Sequence, residues 1–297
     1  MRLLLALGGN ALLRRGEPLS AETQRRNIRK AVQALAPLAG EHQLIITHGN
    51  GPQVGLLALQ SASCQNAMPL DVLGAESEGM IGYMITQELM TALPGRAVAT
   101  LLTQTLVDPD DPAFTKPTKP IGSVYDEEAA RRLAKERGWS VGPDGPSYRR
   151  IVPSPMPLAV LEEKVIRLLL QQDVIVVCAG GGGIPVIREK GGAFRGVEAV
   201  VDKDRTSAVL ADALGMDALL ILTDVDAVYS GWGTDHAQRI PAIRAQDTTV
   251  EFPAGSMGPK VEAAKAFAKS VGRFAAIGNL NDVAGMLNGT AGTRVTL

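Results

Sequence analysis

Residues 43–55 read QLIITHGNGPQVG. The first six form a short apolar run of strand type, Gly49, Asn50 and Gly51 interrupt it, and Pro52 suits the opening turn of a helix. The unit recurs along the chain. RLLLAL (2–7) precedes a helical pattern near 20–39, with Ser20 placed as N-cap and Ile28, Val32, Leu35 and Leu38 on one face. A helix near 71–92 leads to AVATLL (97–102). After an interruption come a helix over 158–172, VIVVCA (174–179) and a hairpin-like stretch through EKGGAFRG (189–196). A helix from about 205 to 214, ALLILT (218–223), a helix from Pro259 and RFAAIG (273–278) complete the series. Repeated strand and helix units of this kind predict an α/β fold, a mainly parallel sheet with helices on both faces.

The interruption, residues 108–157, holds nine of the 18 prolines and one short helical pattern from Asp126 to Gly138. Such a stretch is not regular central sheet. It is either an inert excursion or a lid over a site.

Composition narrows the partners. The chain has 297 residues, 45% apolar and 21% charged, with a net charge of −1, and no basic face stands out to attract nucleic acid or acidic lipid. Cys64 and Cys178 are far apart in sequence and read as reduced, structural thiols in a helix and a buried strand. The three histidines, His42, His48 and His236, share no metal spacing, so no protein-held metal is expected. MRLLLALGGN is too short for a signal sequence, and no apolar run approaches the roughly 18 residues of a membrane span. A cytoplasmic protein is the expectation.

In an open α/β sheet, ligands bind beyond the carboxyl ends of the strands. Glycines follow three strands at such places: Gly8, Gly9 and Asn10; Gly49, Asn50 and Gly51; and Gly180 to Gly183, with Gly181 and Gly182 at their centre. Glycine lets backbone approach a ligand and turn its amides toward an anion. One Asn-Gly pair is an ordinary tight turn; three loops in corresponding places suggest a ligand. No Gly-Lys dipeptide occurs, which excludes a Walker-type loop. Pro185 stands where a dinucleotide fingerprint needs its third glycine.

The lysines fit the same picture. Lys203 directly precedes a helical pattern, and Lys260 follows Gly258 and Pro259. Both lie near helix N-termini, where the macrodipole disfavours cations by a few tenths to about 1 kcal/mol. A bound anion removes that cost, and Asp202 and Asp204 are placed to hold an ammonium charged and aimed. Lys119, between Pro117 and Pro120, is presented on a stiffened segment of the interruption; Lys116 is its nearby competitor. Glycine-lined amides with convergent lysines, and no Ser or Cys beside a His base, describe phosphoryl transfer, where the protein positions donor and acceptor and neutralises charge. A Mg²⁺ ion held by nucleotide phosphates would leave little signature of its own.

With those residues in view, the chain resembles the carbamate kinases of the amino-acid kinase superfamily. ALGGNAL, HGNGPQVG, DPAF with PTKPIG, GGGGIPV, EAVVDKD, LTDVDAVY and GSMGPKV follow the family's order over nearly the whole length. The resemblance implies a three-layer α/β/α sandwich with a protruding lid subdomain. It also implies reversible phosphate transfer between carbamoyl phosphate and ADP, giving carbamate and ATP, in a homodimer. A lobe over about 1–200, with the lid inserted at about 108–157, would bind carbamoyl phosphate, and a lobe over about 201–297 the nucleotide. Gly8, Gly9, Asn10, Gly49, Asn50, Gly51, Gly181 and Gly182 would form the substrate loops. Lys119 would reach the substrate from the lid, Lys203 and Lys260 would stabilise the transferring group, and Asp204 would orient a lysine. Thr223, Asp224, Tyr229, Met257 and Gly258 would line the nucleotide site together with Lys260.

Two departures stand beside these positions. Arg205-Thr206-Ser207 follows DKD where small or apolar residues are expected, and Val124 follows PIGS where an aromatic is common. Another acyl-phosphate kinase of the same fold would lack the lid lysine, and an inactive nucleotide-binding regulator would have less reason to keep all three lysines.

Overall fold

The computed structural model describes residues 1–14, 16–62, 64–248, 252, 257–270 and 272–297, with all of their side chains except that of Asn10. An eight-stranded sheet forms the middle layer. Its spatial order is Ala242–Arg244, Thr293–Thr296, Phe274–Asn279, Ala218–Thr223, Arg2–Leu7, Gln43–His48, Ile175–Val177, Val98–Thr100. Only the pairing of Phe274–Asn279 with Thr293–Thr296 is antiparallel. The central strand Arg2–Leu7 shows why the fold is layered. Leu3, Leu5 and Leu7 join the cluster under the helices Ala21–Leu35 and Leu70–Ala92. Leu4 and Ala6 face the opposite cluster, under Glu163–Gln171, Lys203–Leu214 and Gly258–Ala268. All five are essentially inaccessible, and each leucine so buried contributes about 1.5–3 kcal/mol to the driving force for folding. A strand covered on both sides needs no polar face, hence its unbroken apolar run.

Helix boundaries follow local chemistry. Ser20 caps the helix Ala21–Leu35 by accepting from Thr23 N, as expected, and the last turn to Gly40 is 3₁₀. The helix expected from Arg205 begins two residues earlier, at Lys203. The Asp202 carboxylate caps it, accepting from the amides of Asp204 and Arg205. The pattern over 158–172 divides. Pro157–Val160 is a strand antiparallel to Gln104–Val107, and the helix spans only Glu163–Gln171. Ile184–Arg188 and Phe194–Gly196 form the expected hairpin. Cys178 is buried directly after Ile175–Val177, and burial pushes its thiol pKa up. Cys64 is exposed and lies beyond the helix Gly51–Ser61, not within a helix as expected. Among the described residues no helix is long and apolar enough to cross a membrane.

The proline-rich interruption adds no strand to the central sheet. It builds a three-stranded sheet of its own, Lys119–Tyr125, Ser147–Val152 and Val141–Asp144, with the helix Glu127–Arg137. This unit stands on the helix Gly51–Ser61, where backbones nearly touch: a Cβ on Gly55 would lie 1.9 Å from Gly122 Cα. Gly122 also has φ +76°, a left-handed conformation that favours glycine. Ile121 and Val152 complete the anchor by packing with Val54, Ala58, Leu70 and Leu73.

Candidate functional site

The lid overhangs the carboxyl ends of Arg2–Leu7 and Gln43–His48 and encloses a cavity of about 540 Å³. Gly9, Gly49, Asn50, Gly51 and Gly181 lie in its wall, together with Lys119, Asp202, Lys203, Asp204, Arg205 and Lys260. Residues more than 200 positions apart in sequence therefore meet in one place.

The glycine loops divide by what their backbone already does. Gly8 N donates to Leu222 O and Gly49 N to Leu7 O, at 2.9 and 3.1 Å, extending the sheet ladder. A Cβ on Gly8 would lie 2.8 Å from Leu222 O, so Gly8 serves the close approach of chain to sheet and lies outside the cavity wall. Gly9 and Gly51 are the first residues of helices, where amides lack intrahelical acceptors. Gly182 is buried behind the wall, its carbonyl accepting from Thr105 and Thr206 hydroxyls at 2.7 and 2.9 Å. The side chain of Asn10 lies outside what the structure describes.

The centre of the cavity is ionic. Lys203 Nζ lies 2.5 Å from one Asp204 oxygen and Lys260 Nζ 2.8 Å from the other, so one carboxylate holds two ammonium groups. Lys119 Nζ reaches across from the lid to Asp202, at 2.5 Å. Burial would raise the Asp204 carboxyl, but the two lysine charges win and hold it well below the usual carboxylate range. Asp202 is lowered likewise: burial opposes ionisation and Lys119 more than offsets it. The two lysines on Asp204 diverge. Burial lowers Lys203, whose side chain is 9% exposed, more than Asp204 raises it. Lys260, at 20%, keeps more of its hydration, and Asp204 raises it on balance. Lys203 sits at the first position of its helix, against the macrodipole, and is held there by Asp204.

The departures at 205–207 have structural partners. Arg205 pairs with Glu262 at 2.7 Å, Thr206 donates to Gly182 O, and Ser207 donates to Lys203 O and shares a 2.7 Å hydrogen bond with Thr47. They brace the start of the lysine-bearing helix. Val124 is exposed on the lid strand and does not line the cavity.

The residues expected at the nucleotide are less closely gathered. Thr223 ends the strand Ala218–Thr223 and Asp224 follows it; both lie in the wall of a second cavity, about 680 Å³, with Arg14, Lys30, Asn279 and Asn281. Tyr229 lies on the hairpin Val228–Ser230 with Gln238–Ile240, its hydroxyl donating to Asp226 and its ring 5.3 Å from Trp232. Met257 packs against the core beneath Gly258–Ala268, the helix that Gly258 opens and that carries Lys260. Gly255 and Ser256 of GSMGPKV lie outside the described residues.

Among the described residues no group of three or more His, Cys, Asp or Glu is arranged to hold a metal ion. Both oxygens of Asp202 and of Asp204 are engaged, by backbone amides and lysines. The donor set of the cavity therefore does not fit a metal caged by the protein.

Comparison with known proteins agrees over the full length. The sequence profile of the Amino acid kinase family matches residues 1–279. A carbamate kinase of Haemophilus influenzae is 52% identical over 300 residues, covering 100% of this chain and 97% of its own. Among solved structures, carbamate kinase from Giardia lamblia bound to citric acid matches with a TM-score of 0.93 at 39% identity, over 99% of this chain and 98% of that one. The same enzyme bound to AMP-PNP gives 0.89 at 38%, with the same coverage.

Proposed function

The chain belongs to the amino acid kinase family, among its carbamate kinases, and from that premise we propose that the 540 Å³ cavity is where phosphate passes between carbamoyl phosphate and ADP. The observation that carries this reading is the Lys203–Asp204–Lys260 bridge facing glycine loops beneath a lysine-bearing lid. Carbamoyl phosphate would lie against Gly9, Gly49, Asn50, Gly51 and Gly181. The Gly9 and Gly51 amides would donate to the phosphoryl oxygens, Gly8 and Gly182 supporting the loops from behind. A β-phosphate oxygen of ADP attacks phosphorus in line; its new P–O bond forms as the bond to the carbamoyl oxygen breaks, releasing ATP and carbamate. No protein group need accept a proton or form a bond. Lys203 and Lys260 neutralise the charge on the equatorial oxygens, and Asp204 keeps both ammonium groups protonated and convergent. Lys119 exchanges Asp202 for the substrate phosphate and closes the lid against water.

The nucleotide would approach from residues 201–297, past Thr223, Asp224, Tyr229, Met257 and Gly258, and carbamoyl phosphate from residues 1–200 and the lid. Since Asp204 stays committed to two lysines and Asp202 to the cap of its helix, Mg²⁺ would arrive bound to the nucleotide. A cytoplasmic homodimer completes the reading. Val72, Tyr83, Met90 and Leu102 are exposed along and beside the helix Leu70–Ala92, and the strand Val98–Thr100 ends the sheet; a second copy would cover both. One preparation tests these additions. ATP formation from carbamoyl phosphate and ADP should stop in EDTA and return with Mg²⁺, while the protein sediments as a dimer and melts at an unchanged temperature. Metal-independent ATP formation, or a monomer at micromolar concentration, would refute the corresponding part.

A further inference from the structure

We propose that Ser77 and Glu78, adjacent on the helix Leu70–Ala92, are positioning residues that set the cradle for the carbamoyl head from behind. Neither lines the cavity, and both are buried, at 0% and 1% exposure. The proposal rests on the reading of that cavity as the carbamoyl phosphate site.

Ser77 fixes the orientation of Asn50. Its hydroxyl donates to Gly74 O at 2.9 Å, so toward Asn50 it can only accept, and Asn50 Nδ2 donates to it at 2.8 Å. With the amide nitrogen turned to Ser77, Oδ1 is turned away from it. In a residue of the cavity wall, that orientation offers an acceptor to a substrate N–H. A carbamoyl group carries such a donor; an acetyl group of the same shape does not.

Glu78 holds the opposite side of Asn50. One carboxylate oxygen accepts from Thr103 Oγ1 at 2.6 Å and Gly180 N at 2.8 Å, and the other accepts from Thr103 N at 3.3 Å. Thr103 Oγ1 in turn accepts from Ala179 N at 2.5 Å. Each of these groups can donate to the carboxylate; burial raises its pKa to about 7 against the lowering effect of these hydrogen bonds. The turn so tied has left-handed backbone at Ala179, φ +49°, and at Gly181 and Gly182, a conformation that a non-glycine residue keeps only when its surroundings enforce it. The turn also presses on Asn50: a Cβ on Gly181 would lie 2.1–2.2 Å from three atoms of the Asn50 amide. Asn50 is thus clamped between Ser77 and a turn that Glu78 anchors.

The test compares donors. In Ser77→Ala the amide can rotate, and the preference for carbamoyl over acetyl phosphate should fall about tenfold, with the KM for ADP within twofold of wild type. In Glu78→Gln an N–H₂ meets a ring of donors, and the KM for carbamoyl phosphate should rise about tenfold or more, again without change for ADP. Thr103→Val should reproduce Glu78→Gln and Thr103→Ser should not; this pair carries the test if Glu78→Gln fails to fold. An unchanged donor preference in Ser77→Ala would overturn the proposal. So would losses in Glu78→Gln, or in Thr103→Val, shared equally by both substrates and tracking the melting temperature. Wild type measured alongside separates the two levels, since a wild type without preference for carbamoyl phosphate would refute the reading of the cavity itself.

Discussion

Lys203→Ala and Lys260→Ala should each lower turnover by about 10²-fold or more, with smaller changes in KM, because each removes charge that is most needed as the phosphoryl group moves. Neither should unfold the protein. Asp204 has both lysines on separate oxygens, at 2.5 and 2.8 Å, so either variant leaves the buried carboxylate paired with the other. Asp204→Ala is the informative contrast. It leaves two ammonium groups close together in a largely buried site, and should lose melting temperature as well as turnover, since an unpaired buried charge costs about 3–5 kcal/mol. Wild-type turnover in either lysine variant would show that its ammonium group takes no part in transfer.

Removing the lid should separate the two substrates. Lys119 and Val152 face each other in register at its base, so residues 119–152 can be replaced by a short Gly-Ser bridge without stretching the chain. None of the eight central strands lies in that segment, and the remainder should fold, although Val54 and Ala58 lose their cover. The shortened protein should bind ADP and fail to use carbamoyl phosphate. Lys119→Ala should reproduce the functional defect in the intact chain, and the exposed Lys116, as Lys116→Ala, should not. Calorimetry with ADP checks the first half and the coupled rate the second; lost ADP binding would make the lid part of the nucleotide site.

The fold was legible wherever burial imposes a period. The strand 2–7 is covered on both sides and reads as an unbroken apolar run from Leu3 to Leu7, the strand 43–48 carries the apolar run Leu44 to Ile46, and Ser20 announces its helix by its own hydroxyl. Misplacements occurred where a neighbour or a cap decides. Leu158 and Val160 continue a helical pattern, but pairing with Gln104–Val107 makes them strand. Lys203 looks like a poor helix opener until the Asp202 cap is seen. The glycines and lysines of the cavity were legible because each is costly in its local setting without a ligand. Ser77, Glu78 and Thr103 were not, since a polar residue inside a helix or short loop carries no local sign that it is buried. Their partners, Asn50 and residues 179–180, come from distant segments.

The most direct measurement is ATP formation from ADP and Mg²⁺ with three acyl phosphates side by side. Among the described residues the cavity wall holds one arginine, Arg205, which pairs with Glu262, and the glycine loops themselves carry no guanidinium to receive a second substrate carboxylate. Carbamoyl phosphate should give ATP readily, acetyl phosphate weakly, and N-acetylglutamyl phosphate none. The gap between the first two should correspond to an unpaired acceptor, about 1–3 kcal/mol. Equal rates with carbamoyl and acetyl phosphate, or faster use of the larger donor, would contradict the account of this site.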